Sequence, residues 1–103
     1  MNTLLSEKRI DLAALCRRHG VTRLEVFGSA ARGEDFGPAS DIDLLVTFGP
    51  ETRNDLAGFA DLKDALEALL GRPVDLVERE AVEASRNPIR RRRILGEAEP
   101  VYG

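Results

Sequence analysis

At 103 residues, 43% of them hydrophobic and 32% charged, the chain reads as a single domain over residues 1–103, with no room for a second. That balance excludes a disordered chain, and its apolar runs are far too short to cross a bilayer. A net charge of -3 with only 5% aromatic residues provides neither a general attraction for nucleic acid nor a stacking platform. Residues 1–9 turn charged too early for the apolar core of a secretion signal, so the cytoplasm is the expected compartment. Ile10, Leu12, Ala13, Leu15 and Cys16 recur at helical spacing, which predicts a first helix over residues 6–19 with Ser6 as its N-cap and Gly20 as its stop. Cys16 is the single cysteine; it permits no internal disulfide, and its place in that pattern makes it a small core residue rather than a nucleophile.

Residues 23–27 alternate as a strand that ends at Gly28, after which Ser29 to Arg32 start a short helix. A loop follows over residues 34–40, with Gly37-Pro38 as its turn signal. The clearest strand covers residues 42–48 and closes at Gly49-Pro50. A second long helix is predicted over residues 55–70, with Leu56, Phe59, Leu62, Leu66 and Leu69 on one stripe and Gly71 and Pro73 ending it. Residues 74–77 form a short strand, and 78–86 a helical turn or loop. Asn87 caps a last helix over residues 89–97 with Pro88 at its start, and residues 99–103 are expected as a loose tail. The alternation defines an α/β (α+β) class, with a sheet of at least three strands and about four helices.

Two motifs carry the chemistry. The turn at Gly28-Ser29 exposes free backbone N–H groups at a helix start, where Gly28 lets a phosphate approach and the Ser29 hydroxyl adds a hydrogen bond. For Gly-Ser alone, a plain strand-to-helix turn with serine as N-cap is the commoner case. Arg32, one turn along, suits the same phosphate or a surface ion pair with Glu34 or Asp35. Asp41 and Asp43 bracket the start of an apolar strand, where aspartate is depleted. Residues two apart share a strand face, so these carboxylates point one way while Ile42, Leu44, Val46 and Phe48 point the other. Taken alone they fit a solvated strand end. Asp75 adds a third carboxylate in the next short strand; if the two strands pair, the three converge. At about 4 Å two like charges repel by roughly 1 to 4 kcal/mol, so three together call for a cation. Oxygen donors and incomplete coordination suit Mg2+.

Gly28-Ser29-x-x-Arg32-Gly33, then Ser40-Asp41-Ile42-Asp43, then Asp75 on a later strand resemble the polymerase-beta-type nucleotidyltransferase superfamily, and within it the minimal nucleotidyltransferases. The loop between Ser29 and Asp41 is one residue longer than the usual family spacing, away from the ligands. The resemblance implies a polymerase-beta-like fold with a small mixed sheet and two-metal transfer of a nucleoside monophosphate. Asp41, Asp43 and Asp75 would be the catalytic residues and the ligands of Mg2+, two ions of it; Gly28 and Ser29, with Arg32, would bind the nucleotide's phosphates. Asp75 would serve the acceptor side, through the metal or as general base.

Members of the family that modify antibiotics, nucleic-acid ends or large proteins add a helical or second domain to hold the acceptor, for which this chain has no room, so either the acceptor is small or another protein supplies that surface. The resemblance therefore implies an antitoxin that pairs with a helical HEPN-class toxin and uses ATP to adenylylate a toxin tyrosine. A module that neutralises the toxin by binding alone, and a transferase for a small molecule, are the competing readings. Either a hetero-complex or a homo-oligomer is compatible with the chain. Tyr102 is a self-modification candidate or a residue packed on the core. The four arginines at 90–93 admit three readings: a solvated helix face, a face turned to the carboxylates or a partner, or RNA contact without supporting aromatics.

Overall fold

Among the described residues the chain forms, in order, α1 (Thr3–Glu7), α2 (Arg9–Arg18), β1 (Val21–Phe27), α3 (Gly28–Arg32), β2 (Ile42–Phe48), α4 (Leu56–Leu70), β3 (Val74–Glu78), α5 (Arg79–Glu83), α6 (Pro88–Glu97) and β4 (Glu99–Tyr102). The structure, a computed structural model, describes residues 3–32, 41–52 and 55–103, apart from the side chains of Thr3, Ser29 and Arg32. The loop expected over residues 34–40 lies outside the described residues. No described helix is long and apolar enough to cross a membrane.

The strands form one mixed sheet in the order β3-β2-β1-β4. β1 runs antiparallel to β2 and to β4, whereas β2 and β3 are parallel, joined by α4 as the crossover that parallel strands need. α4 starts on the Asp55 carboxylate, which accepts from the Gly58 N–H at 3.0 Å, and stops at Gly71 with φ +67°. These are the N-cap and the left-handed glycine stop that its ends require. At the far end the Val74 N–H donates to Glu67 of α4 at 2.9 Å, and Ile42 N–H donates to the Pro73 carbonyl at 3.0 Å. Together these bonds fix where β2 and β3 begin.

One face of the sheet packs Leu24, Val26, Ile42, Leu44 and Val46 against α1, α2 and α4, with Leu5, Leu12, Leu62 and Leu66 buried between the layers. Cys16 belongs to this core, and burial pushes its thiol up to about 11, which keeps it protonated and inert at neutral pH. The second face is smaller. Leu45 and Phe27 pack there against Val82 of α5 and Ile94 of α6. Among the described residues the carboxylate face of β2 is therefore packed along its middle, and the end where β2 and β3 begin is left uncovered.

A buried ion pair anchors α5 to this face. Glu25 of β1 is only 2% exposed, and Arg79 donates to both its oxygens at 2.7 and 2.8 Å. The same carboxylate raises the Arg79 pKa further above its ordinary value by favouring the charged guanidinium.

Three expectations need correcting. The first helix starts at Thr3 and breaks at Lys8, so Ser6 lies inside α1 and caps nothing. Leu5, fully buried, draws that extra turn onto the core. Leu56 is 82% exposed, and the buried stripe of α4 is Leu62, Leu66 and Leu70. Residues 99–102 are a strand rather than a loose tail, paired with β1 and burying Val101.

Candidate active site

Asp43 is the second residue of β2, and parallel pairing sets it directly beside Asp75 of β3. Side chains in register on adjacent strands share a face, so these two carboxylates emerge together at the sheet's open end. Asp43 is half-buried; Asp75 is exposed. Asp41, two residues before Asp43 and also exposed, stands just ahead of the strand. The convergence expected of the three is thus carried by the backbone for Asp43 and Asp75. Among the described residues no three carboxylate, thiol or imidazole groups close into a metal-holding cluster.

Gly28 meets Asp43 from the other side. Its neighbour Phe27 pairs with Asp43 across β1 and β2, and the chain then leaves β1 with Gly28 at φ +69°. A Cβ at this glycine would collide with the Asp43 carboxylate oxygen Oδ2. Two requirements therefore select glycine here: a left-handed turn, and a backbone that comes down onto a carboxylate. α3 begins immediately, which places Ser29 and Arg32 on its first turns; both side chains lie outside the described residues.

α6 completes the walls. Phe27, Gly28 and Asp43 line a cleft of about 320 Å³ together with Arg90, Arg93, Ile94 and Glu97 of α6. Glu97 accepts the Gly28 N–H at 3.3 Å and pairs with Arg93 at 3.7 Å. The run of arginines is divided by the helix. Arg91 donates to the Ser85 carbonyl at 2.7 Å and ties α6 to the end of α5, whereas Arg90 and Arg93 turn to the cleft. Glu97 had no signal in the sequence: it follows the arginines as an ordinary helix-end glutamate, and only the fold brings it to Gly28, 69 residues away.

The donor set suits a hard divalent cation. It consists of carboxylate oxygens, open to solvent on one side, with a backbone turn lying against Asp43 where a Cβ would block approach. Asp41, Asp43 and Asp75 are the residues that would hold it.

A strand-turn-helix with glycine on a carboxylate, a second carboxylate in register, and a small mixed sheet define a minimal nucleotidyltransferase domain. The chain belongs to the nucleotidyltransferase domain family, whose pattern matches residues 11–99. It is 36% identical over 97 residues to a Methanocaldococcus jannaschii protein named as a protein adenylyltransferase, covering 94% of this chain and 97% of that one. It is 44% identical over 70 residues to the protein adenylyltransferase MntA of Thermococcus cleftensis, covering 68% of each. A solved minimal nucleotidyltransferase, 43% identical, superposes with a TM-score of 0.74 over 97% of this chain and 96% of its own. The fold is shared as well, at 18% identity and a TM-score of 0.64, by a chain in the complex of a tri-AMPylated Shewanella oneidensis HEPN toxin with its MNT antitoxin; 96% of this chain and 72% of that one are covered. The resemblance expected from the motifs is thereby borne out for family and fold.

Proposed function

We propose that this nucleotidyltransferase transfers AMP from ATP to a tyrosine hydroxyl of a HEPN-class helical toxin, and so acts as its antitoxin. The observation that carries the reading is the register of Asp43 with Asp75, with Gly28 packed on Asp43. The adenylyltransferase names of its relatives support the donor, and the AMPylated toxin in the Shewanella complex supports the acceptor.

Asp41, Asp43 and Asp75 would hold Mg2+, which when bound neutralises the polyphosphate and acidifies the acceptor hydroxyl. Gly28 and Ser29 position the terminal phosphates, and Arg32 contacts a phosphate or the acceptor side. Asp75, exposed beside Asp43, accepts the hydroxyl proton as general base. The hydroxyl oxygen forms a bond to the alpha-phosphorus, the bond from that phosphorus to the beta-phosphate oxygen breaks, and pyrophosphate leaves with the electron pair.

The test is labelling of a co-purified toxin with alpha-labelled ATP and Mg2+. The double substitution Asp41→Asn, Asp43→Asn is expected to abolish labelling while the chain still folds and binds the toxin. Undiminished labelling would overturn the mechanism. If the double variant still protects cells from the toxin, neutralisation proceeds by binding and not by turnover.

A further inference from the structure

We infer that Arg90 and Arg93 of α6 grip the polyphosphate of the nucleotide, and that Glu97 holds Arg93 in reserve until the polyphosphate displaces it. The inference rests on the nucleotidyltransferase reading above and adds to it a cationic wall on the last helix.

Residues three, four and seven apart share a helix face, which aligns Arg90 with Arg93, Ile94 and Glu97. Ile94 is buried and fixes that face toward the sheet. Both arginines then line the same cleft as Gly28 and Asp43. Their neighbours in the run lie off the cleft: Arg91 is tied to Ser85, and Arg92 is exposed and does not line it.

The cleft is bipolar, with the Asp43 carboxylate on one wall and, on the other, two guanidinium groups with Glu97 beside them. A purely cationic pocket would take any anion, and a purely acidic one any cation. Both together match a ligand that is polyanionic and carries a divalent cation, which describes a nucleoside triphosphate with its metal. Arg90 makes no ion pair with any described residue. The Arg93 to Glu97 pair is long at 3.7 Å, and the Arg93 side chain is 71% exposed, so it is weak and readily exchanged. Glu97 also accepts the Gly28 N–H through its second oxygen. One carboxylate thus satisfies both a guanidinium and a backbone donor at the place an anionic phosphate would lie; in the resting protein it is the stand-in for that phosphate.

Calorimetric titration of the full-length chain with ATP and with inorganic tripolyphosphate, each with Mg2+, tests this. Arg90→Ala and Arg93→Ala are each expected to weaken both ligands about tenfold, as loss of one charge-assisted contact does. Arg92→Ala is the control and binds as wild type. Glu97→Gln is expected to tighten both ligands severalfold, a gain that misfolding cannot produce. Wild-type affinity in both cleft variants would overturn the inference while leaving the nucleotidyltransferase reading intact, and weakened binding in Glu97→Gln would overturn the stand-in role. A wild-type chain that binds no ATP would overturn both readings together.

Discussion

Gly28 shows how a single residue joins the fold to the chemistry. Its φ of +69° costs an L-residue about 1 to 2 kcal/mol, and the space a Cβ would need is filled by Asp43. Gly28→Ala therefore does two things. It strains the turn, and it pushes the Asp43 carboxylate off its position beside Asp75. We expect a stability loss of about 2 kcal/mol by urea denaturation and loss of nearly all nucleotide transfer measured on the folded fraction. Full transfer by the folded variant would show that the close approach of backbone to carboxylate is not needed. At this scale the meeting of Asp43 with Asp75 and the turn at Gly28 were legible, because aspartate in a strand and glycine at its end stand out from the local pattern, and the core cysteine was legible because it falls in the apolar spacing of its helix. Glu97 and the buried Glu25–Arg79 pair were not legible, since a charged side chain in sequence carries no mark of what tertiary packing will bring against it.

Among the elements, those with strong local signals emerged as expected: β2 over residues 42–48, α4 between the Asp55 cap and Gly71, and α6 behind Asn87 and Pro88, where the Asn87 side chain accepts from the Ile89 and Arg90 N–H groups. β4 did not, for a physical reason. It is four residues long and contains Pro100, which cannot donate to a ladder and so is confined to an edge. A strand of this kind is made by its neighbour, not by its own propensity: Leu24 faces Tyr102 and Val26 faces Glu99 across the pair. Val101 is the residue it buries. Val101→Asp places a charge in that core and is expected to cost about 3 kcal/mol or more in urea denaturation. A cost below about 1 kcal/mol would mean that the segment behaves in solution as the loose tail its sequence resembles.

Over the whole molecule, stability and function meet at the open end of the sheet. Among the described residues one face is sealed by α1, α2 and α4, the other only partly by α5 and α6, and the carboxylates lie where that coverage stops. The cleft of about 320 Å³ is at the small end of ligand pockets, roughly 300 to 1,000 Å³, so it has room for the polyphosphate of the proposed nucleotide and not for the nucleoside as well. A ligand that binds only the folded chain stabilises it by mass action, by about 2.7 kcal/mol at a hundred times its Kd. For a domain of about 100 residues that corresponds to a rise in Tm of about 10 °C or more. ATP with Mg2+ is therefore expected to raise the melting temperature by this order, and chelation with EDTA to return it to the ligand-free value. On the proposed function Asp43→Asn is expected to abolish the rise, because Asp43 is then a metal ligand and does not belong to the apolar core. A rise that survives both EDTA and Asp43→Asn would place nucleotide binding away from the carboxylates, and the site at the open end of the sheet would lose its claim to the chemistry.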